Sequence, residues 1–436
     1  MTRKTRKAAR HTHGSRWKTP TFVLALVAAG ILILGLAACG GDETAEPAAP
    51  PAEPAPAEPA PAEPAPAEPA PAGEEPPAEG ADEATATREK VQATLADLVA
   101  QEGSADVKSE WPAITESSCY PPATKPDGPL KVGYAYAGRA NTWQVQNGDG
   151  GVWFLENHPD VGEVIATDGE ENPDKQISDI QSLIAQDVDL LVVNPATTAV
   201  SPAVQQACDA GIPVVVYDRF VEPDTNITAS IYADEVQDGY NCGTSIVEAL
   251  GGEGNVVLLG GIPGIGVTED RMAGARQAFE EAPGINILAE GYSDFDPAKG
   301  RQVTEEWLQA YDQIDGLWSD SGIQAVGAIG AIEEAGRLDE FKMIAGGQFN
   351  HFLRLWSELG FTGCGSTISS DVGLLASQLG IDIVRGRYLP TENIPGPLVV
   401  ISQDTLADYY RPDLPDSYWA TDHLPDSLLQ EIYANQ

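Results

Sequence analysis

From Lys131 to Ile368, short apolar segments alternate with amphipathic ones, and this rhythm constrains the fold more than any other feature. The apolar segments have the length of buried strands, and residues 174–186 between two of them place Ile177, Ile180 and Ile184 on one helical face. Such alternation predicts parallel sheets covered by helices. About 300 residues exceed what one doubly wound sheet usually needs, so the sequence predicts two α/β lobes.

Several loops that follow the predicted strands carry side chains suited to a polar ligand. In doubly wound sheets, ligands bind outside the carboxyl ends of the strands. Aromatic rings cover the apolar face of a sugar, while Asp, Asn and Arg bond to its hydroxyls, so these residue types predict a polyol site. An arginine can also hold a carboxylate, which leaves an acidic ligand open. The candidates are Arg139, Asn141, Trp143, Gln144, Asp218, Arg219, Arg271, Asp294, Phe295, Asp296, Asp320, Ser321, Gln348, Phe349 and Asn350.

Some of these candidates also have a purely structural interpretation. Asp218 and Arg219 are adjacent and could form an ordinary surface ion pair. Trp143 could belong to the core, and Arg271, at the start of a predicted helix, could face solvent. These alternatives stay open at the level of the sequence.

The chain lacks the residue patterns of an enzyme. Asp294 and Asp296 could form a general acid/base pair, but Pro297 directly after Asp296 favours a helix cap. The glycine-rich segment 260–266 does not satisfy G-x-G-x-x-G, and neither G-x-S-x-G nor C-x-x-C occurs. The histidines beyond the N-terminal segment lack metal-ligand spacing: His158, His351 and His423. The sequence predicts a binding protein without catalytic residue, metal or cofactor, and it gives a hydrolase or oxidoreductase no support.

The N-terminus has the order of a secretory signal. Seven basic residues and no acidic one precede an apolar run from Phe22 to Leu36. The run is also long enough to span a membrane, so a permanent anchor helix is the alternative. Small residues then lead into Cys39, and residues 36–40 resemble a bacterial lipobox. That resemblance implies cleavage after residue 38 and a diacylglycerol thioether on Cys39, which would tether the mature protein to the membrane.

Residues 39–85 are predicted to form a disordered stalk. From Glu43 to about Glu83 the chain is mostly Ala, Pro and Glu, with Pro-Ala-Glu-Pro-Ala repeated from Pro51 to Ala70. Such a composition cannot bury a core, and its prolines favour the extended polyproline II conformation. Residues 86–129 are predicted to contain a helix, Thr87 to Val99, followed by a connector.

The charge of the chain disfavours one class of partner. Without residues 1–38, seven of the 25 Lys and Arg are lost and all 66 Asp and Glu remain, so the formal charge becomes −48. An acidic excess of this size argues against binding to nucleic acid or to anionic lipid.

Four cysteines remain besides Cys39, and an exported chain would meet an oxidising environment in which disulfides persist. Three pairings of Cys119, Cys208, Cys242 and Cys364 can be written. We expect Cys208 to pair with Cys242, because both lie on predicted helices that flank adjacent strands.

At these strand-end loops the sequence resembles the type I periplasmic binding proteins for aldoses, the ribose- and xylose-binding group of ABC-importer receptors. The likeness extends from about Lys131 to Ile401. It is carried by four stretches in order, which are DLLVVNP at 189–195, AGIPVVVYDR at 210–219, YAD at 232–234 and DFD at 294–296.

The resemblance implies two doubly wound lobes joined by three crossings, near Asp234, Thr367 and Pro395. A ligand would lie between the lobes, and hinge closure around it would be the signal to the membrane subunits of the importer. The first lobe would hold residues 130–234 and about 368–395. The second would hold residues 235–367 and about 396–436.

The resemblance also implies ligand contacts on the first lobe. Asn141 and Trp143 match a polar and aromatic pair, and Asp218 with Arg219 matches the Asp-Arg sugar clamp of the family. Two further residues follow the xylose-type pattern: Arg139 and Gln144.

The second lobe keeps two matches and departs at three positions. Arg271 matches the arginine after the sixth strand, and Phe295 matches an aromatic that packs on the sugar ring. Ser321 and Gly322 stand where the family has an Asn-Asp pair, and Gln348 or Phe349 stands where it has an Asp. Thr367 stands where the family has a long polar side chain. Since the first-lobe clamp is complete, the departures predict a ligand with a vicinal diol or a carboxylate that is neither plain ribose nor plain xylose.

The function predicted from the resemblance is that of an extracytoplasmic, lipid-anchored and monomeric substrate-binding subunit of an ABC importer. Its partners would be a sugar or sugar-like solute and the permease subunits, with no nucleic acid. The alternative is a sensor that passes its ligand-bound form to a chemoreceptor or a sensor kinase. A third interpretation is a surface lipoprotein whose cleft has no ligand.

Overall fold

The computed structural model describes residues 78–101, 119, 123–125, 127–387, 394–421 and 423–434. The predicted signal segment, Cys39 and most of the predicted stalk lie outside these residues. All described residues belong to one compact unit of the chain, Gly73–Gln436. Within the described ranges, no helix has both the length and the apolar character needed to cross a membrane.

Two six-stranded sheets form the centres of two lobes, which confirms the predicted fold class. The strands are β1 Leu130–Tyr136, β2 Val161–Asp168, β3 Leu190–Val193, β4 Val214–Asp218, β5 Ala229–Tyr232, β6 Glu253–Gly260, β7 Gly284–Tyr292, β8 Gly316–Ser319, β9 Met343–Gly346, β10 Gly363–Ile368, β11 Ile394–Pro395 and β12 Leu398–Ile401. The first sheet has the order β2-β1-β3-β4-β5-β11 and is parallel throughout. The second has the order β7-β6-β8-β9-β10-β12, with only β12 antiparallel.

Helices cover both faces of each sheet, because the central strands are apolar on both faces. In β3, Leu190 and Val192 pack into one core cluster, while Leu191 and Val193 pack into another on the opposite face. The helices are α1 Ala78–Gln101, α2 Thr142–Glu156, α3 Pro173–Ala185, α4 Ser201–Asp209, α5 Glu235–Leu250, α6 Gly266–Glu280, α7 Pro297–Ala310, α8 Gly322–Glu334, α9 Asn350–Leu359, α10 Val372–Val384, α11 Leu406–Tyr409 and α12 Asp426–Tyr433.

Both lobes have the same switch in strand order. The chain enters each sheet at an inner strand, β1 or β6, adds one neighbour, and then continues on the opposite side with β3 or β8. The loops after β1 and β3 therefore diverge, as do those after β6 and β8, and each pair leaves a crevice at the carboxyl edge where such folds bind ligands.

The chain passes between the two sheets at three places near the predicted crossings. β5 leads into α5 of the second lobe, β10 leads into α10 of the first lobe, and β11 leads into β12. At the third crossing the backbone N–H of Gly396 donates to the carbonyl oxygen of Tyr232, 2.6 Å away, so the first and third crossings lie side by side.

Helix α1 starts within the segment that the sequence analysis assigned to the stalk. It runs from Ala78 rather than from Thr87, so the stalk boundary at residue 85 is corrected. The last proline before it is Pro77, and beyond that point the Ala- and Glu-rich chain favours a helix. Its buried residues recur every three or four positions and face α10 and β11 of the first lobe: Ala84, Thr87, Val91, Leu95 and Leu98.

The C-terminal segment is shared between the lobes, which corrects the assignment of residues 396–436 to the second lobe alone. The side-chain amide of Asn350 on α9 donates to three backbone carbonyls of segment 411–415 at 2.9–3.2 Å. Helix α12 packs instead against α2 of the first lobe, where the Tyr433 hydroxyl donates to Gln146 Oε1 at 2.7 Å. An apolar helix face must be buried, but its sequence does not specify which lobe covers it.

The predicted Cys208–Cys242 pairing is wrong. Cys208 on α4 forms a disulfide with Cys119, and Cys242 on α5 forms one with Cys364 on β10, with Cα atoms 5.6 Å apart. Because α4 packs on the first sheet and α5 on the second, Cys208 and Cys242 lie in different lobes. Their proximity to adjacent strands in sequence did not imply proximity in space.

Candidate functional site

The first-lobe part of the candidate site is centred on Asp218, the last residue of β4. Its backbone is left-handed, with φ 63°, a conformation that Asp tolerates better than most residues and that turns the chain at the strand end. Asn194, directly after the neighbouring β3, donates from Nδ2 to Asp218 Oδ2 at 2.9 Å. Burial raises the pKa of Asp218, while Arg219 and Asn194 act in the opposite direction.

Arg219 connects Asp218 with a second carboxylate. Its Nη1 donates to Glu171 Oε2 and to the carbonyl oxygen of Ala196, both at 3.2 Å. Its Nε lies 3.9 Å from Asp218 Oδ2. The side chain stays 35% exposed, so the guanidinium is fixed by the loops but still accessible. The clamp is thus part of a network and more than the surface ion pair of the alternative interpretation.

Glu171 was missed by the sequence analysis. It follows β2, an edge strand, and has a left-handed backbone with φ 55°. Gln144 Nε2 donates to Glu171 Oε1, and the backbone N–H of Ala140 donates to Gln144 Oε1 at 2.8 Å. Inspection of the loop after β2, by the same strand-end rule, would have identified Glu171.

The other predicted first-lobe residues have partners away from Asp218. The Arg139 guanidinium pairs with Asp149 on α2. Asn141 caps α2 by accepting the backbone N–H of Gln144 at 3.0 Å. Trp143 is half-buried against the largest core cluster, in accordance with its structural interpretation.

On the second lobe, Arg271 is largely buried and contacts four side chains. Its Nε lies 2.5 Å from Glu235 Oε2 and 2.9 Å from Asp238 Oδ2. Its Nη1 lies 3.2 Å from Asp320 Oδ1, and its Nη2 donates to Thr367 Oγ1 at 3.2 Å. Since only 11% of the side chain is exposed, the alternative of a solvent-facing arginine is wrong.

Burial disfavours the charged form of two carboxyl groups beside Arg271. Burial raises the pKa of Glu235 to about 8, with Arg271 opposing the shift and Asp238 adding to it. Burial raises the pKa of Asp238 as well. Asp218 of the first lobe contributes to the raised pKa of Glu235, and Arg271 lowers that of Asp218. Asp218 also pairs in register with Tyr232, three residues before Glu235, so the polar groups of the two lobes face one another, and we call the space between them the cleft.

Phe295 stands beside Arg271's partner Asp320. A Cβ on Gly261 would lie 2.2 Å from the Phe295 ring and 2.7 Å from Asp320 Oδ2, so glycine is required for this close approach. The backbone N–H of Gly261 donates to Asp320 Oδ2 at 2.9 Å, as does the Thr268 hydroxyl at 3.0 Å. Phe295 is held half-buried at the carboxyl edge of the second sheet.

Asp294 and Asp296 do not form an acid/base pair. Asp296 is the N-cap of α7 and accepts the backbone N–H groups of Ala298 and Lys299 at 2.7 and 3.0 Å, which confirms the predicted cap. Asp294 pairs with the exposed ammonium group of Lys299. Both carboxylates are therefore engaged by local partners.

Ser321 and Gln348 hold the protein's own backbone. Ser321 caps α8 by accepting the backbone N–H of Ile323 at 3.3 Å. Gln348 is fully buried and donates to the carbonyl oxygens of Thr367 and Val399 at 3.1 and 3.2 Å. These contacts account for two of the three departures from the sugar-binding pattern without any ligand.

The arrangement can bind a polar solute but offers no catalytic group in a reactive setting. Asp218, Arg219 and Glu171 present charged, partly exposed atoms, whereas the acids around Arg271 are bound to it. Among the described residues, no group of three or more His, Cys, Asp or Glu is arranged to hold a metal ion.

Known proteins with similar sequences include a ribose import binding protein and a galactofuranose-binding protein, both of bacteria. The chain is 33% identical over 175 residues to the ribose import binding protein of Bacillus subtilis (strain 168), covering 40% of this chain and 56% of that protein. It is 30% identical over 215 residues to the galactofuranose-binding protein of Escherichia coli (strain K12), covering 48% and 67%. The chain thus spans between just over half and two thirds of these relatives.

Solved structures give the same fold. A solute binding protein of an ABC transporter from Bacillus halodurans C-125, with bound myo-inositol, superposes with a TM-score of 0.55 at 23% identity, covering 67% of this chain and 98% of that one. One from Actinobacillus succinogenes 130z, with bound D-allose, gives 0.56 at 22% identity, covering 65% and 100%.

A family model described as a periplasmic binding protein domain matches residues 132–387, which include both sheets except for their last short strands. This span exceeds half of the chain and contains Asp218, Arg219 and Arg271. The chain therefore belongs to the periplasmic binding protein domain family, with the type I fold of two parallel-sheet lobes.

Proposed function

We propose that this chain is the extracytoplasmic solute-binding subunit of an ABC importer and that it holds a sugar or a sugar-like polyol between its two lobes. The observation that carries the proposal is geometric: Asp218 and Arg219 lie at the carboxyl edge of the first sheet, and Arg271 contacts Glu235, three residues after Tyr232, the strand partner of Asp218. A solute with several hydroxyls could bridge these groups, and closure would bury it.

The names of similar proteins support this class of ligand. Relatives are named for ribose, galactofuranose and xylitol, and structures of the same fold contain myo-inositol or D-allose. These compounds are polyhydroxylated and uncharged. Directional bonds from fixed carboxylate and guanidinium groups suit vicinal hydroxyls.

A membrane anchor at Cys39 is part of the proposal. The basic N-terminus, the apolar run Phe22 to Leu36 and the small residues before Cys39 support it. Acylation there would keep the binding domain near the permease subunits. The Ala-, Pro- and Glu-rich segment would serve as a spacer that allows the domain to reach them.

A thermal-shift screen with pentoses, hexoses, polyols and nucleosides tests the binding function. A solute present at a hundredfold its dissociation constant stabilises the native state by about 2.7 kcal/mol, which is worth several degrees. We expect one class to shift the melting temperature and Asp218→Ala to abolish the shift. A shift that survives Asp218→Ala would place the ligand elsewhere, and no shift with any solute would contradict the proposal.

Labelling with a palmitate analogue in a bacterial host tests the anchor. We expect the wild-type chain to be labelled and to remain in the membrane fraction, and Cys39→Ala to lose the label. Thr44→Ala is the matched control and should keep it. Equal labelling of the Cys39→Ala variant would contradict acylation at this cysteine.

A further inference from the structure

The cleft contains more carboxylates than guanidinium groups. In the part of the chain that the structure describes, Arg219 and Arg271 face the cleft, and each is already paired with acidic side chains. Five carboxylate side chains adjoin them: Glu171 and Asp218 beside Arg219, and Glu235, Asp238 and Asp320 beside Arg271.

Arg271 has little capacity left for an anionic ligand. Three of its five N–H groups are engaged, by Glu235 at Nε, Asp320 at Nη1 and Thr367 at Nη2, and Asp238 Oδ2 lies 2.9 Å from Nε. A ligand carboxylate at the two remaining N–H groups would bring a fourth negative charge to a single guanidinium, beside three largely buried acids that already rely on it.

On the first lobe, Glu171 is the carboxylate that a solute would meet first. Its side chain is 35% exposed, against 13% for Asp218, 11% for Glu235 and less for the remaining two acids. Its Oε2 also accepts a hydrogen bond from Arg219 Nη1 at 3.2 Å. A ligand approaching Arg219 therefore approaches Glu171 at the same time.

We infer that Glu171 is a specificity-determining residue and that the cleft accepts uncharged polyhydroxylated solutes but rejects their carboxylate and phosphate derivatives. This inference rests on the proposed function and adds the charge of the ligand to it. It removes the acidic ligand that the residue types alone had left open.

The chemistry of the donors explains the selection. A carboxylate only accepts hydrogen bonds, and a ligand hydroxyl can donate to Glu171 or Asp218 while it accepts from Arg219. A ligand carboxylate has no proton to donate and would face Glu171 with a like charge. Burial already raises the pKa of Asp218 and of Glu235, so a further anion would enter a site where negative charge is disfavoured.

Titration calorimetry with matched pairs of solutes tests the inference on the purified chain. The pairs are D-ribose and D-ribose 5-phosphate, D-galactose and D-galacturonate, and myo-inositol and myo-inositol 1-phosphate. For any pair whose neutral member binds, we expect the charged member to bind at least about tenfold more weakly, the effect of one like charge a few Å away in a partly buried site.

Glu171→Gln identifies the residue responsible. Glutamine has one acceptor oxygen, which can replace the bond to Arg219 or the bond to Gln144 but not both, and it carries no charge. We therefore expect the ratio of the charged member's dissociation constant to the neutral member's to fall by about tenfold, even where the neutral member itself binds more weakly. Glu170→Gln is the control, because Glu170 lies in the same turn with φ 53° but is 68% exposed, and its nearest cation, Lys175, is 3.9 Å away.

The outcomes separate this inference from the proposed function. Binding of a charged member as tightly as its neutral partner would overturn the charge selection and leave the solute-binding function standing. A penalty that persists in Glu171→Gln, or that also falls in Glu170→Gln, would overturn the role of Glu171. No binding by any member of the panel would overturn the proposed function together with the inference.

Discussion

The two lobes share one strand order but use their cleft arginines differently. Arg219 of the first lobe lies on a loop, is 35% exposed, and contacts Glu171 at 3.2 Å and Asp218 at 3.9 Å. Arg271 of the second lobe lies within α6, is 11% exposed, and contacts three carboxylates and a threonine hydroxyl. The first arrangement leaves more charged atoms accessible to a solute, and the second engages most of its charged atoms within the protein.

This difference predicts a division of labour. A partly exposed ion pair contributes little to stability, whereas a buried arginine that neutralises several acids is strongly destabilising to remove. Variants of the first lobe should therefore change ligand affinity, and variants around Arg271 should change the stability of the fold.

The largest effect on stability is expected for Arg271→Ala. The change leaves Glu235, Asp238 and Asp320 close together without their counter-charge, which should lower the free energy of unfolding by about 3–5 kcal/mol. Urea unfolding followed by tryptophan fluorescence measures it. Arg276→Ala on the same helix is the control, since its single pair with Glu290 is about 30% exposed and should cost under about 1 kcal/mol. Equal losses in both variants would contradict the special position of Arg271.

A somewhat smaller effect is expected from the second-lobe disulfide. The double change Cys242→Ser with Cys364→Ser opens a link between residues 122 positions apart, and such links typically contribute about 2–4 kcal/mol. Thiol titration of the unreduced wild-type chain should find Cys242 and Cys364 unreactive, and urea unfolding should show the loss. Because the clamp lies in the other lobe, affinity for the solute should stay within a few-fold. Loss of solute binding in a variant that is still folded would show that ligand affinity also depends on the second-lobe disulfide.

A pH effect should follow from the acids around Arg271. The folded pKa of Glu235 is raised to about 8 from an ordinary value of 4.5, so between these pH values the folded chain holds a proton that the unfolded chain has released. Stability from this group is therefore complete below about pH 4.5 and declines as pH rises towards 8, so the loss is spread over the range between these two values. Glu235→Gln should flatten this part of the stability profile, as measured by urea unfolding at several pH values. Glu290→Gln, on the surface of the same lobe, should leave the slope unchanged, and an unchanged slope in Glu235→Gln would contradict the assignment.

The smallest effect on stability is expected for Arg219→Ala. Its loss removes a partly exposed pair and should cost under about 1 kcal/mol. Affinity for the solute should nevertheless fall by more than about tenfold, because a charge-assisted bond to a ligand hydroxyl is lost. Calorimetry and thermal unfolding on the same preparation test both halves. A large loss of stability with unchanged solute binding would contradict the assignment of ligand binding to Arg219 and of stability to Arg271.

The fold could be predicted from the sequence because its main determinant is local. Strands such as β3 are apolar on both faces, and the helices between them have one apolar face, so alternation alone indicates covered parallel sheets. The positions of the crossings followed from the family resemblance. The pairing of Cys208 and the packing of α12 could not be predicted, because they depend on which surfaces meet after folding.

The candidate site was predicted in part for the same reason. Asp218 is the last residue of β4, and Arg271 lies in the first half of the helix that follows β6, so the strand-end rule leads to both. Glu171 follows an edge strand and Glu235 opens a helix at a crossing, and each acquires its role only when the chain brings it to an arginine distant in sequence. Asn141 shows the converse, since a strand-end polar residue turned out to cap the next helix.

The central claim is tested most directly by titration calorimetry, which measures how tightly a neutral polyol binds to three proteins: wild type, Asp218→Asn and Asp187→Asn. Asp187 also has a left-handed backbone, with φ 55°, and is exposed, but it precedes β3 and so lies at the opposite edge of the first sheet. We predict that one polyol of the panel binds wild-type protein and Asp187→Asn alike and binds Asp218→Asn at least about a hundredfold more weakly, as expected when a buried charged partner of a ligand is lost. Equal binding by all three proteins, or no binding by any of them, would contradict a solute site between Asp218 and Arg271.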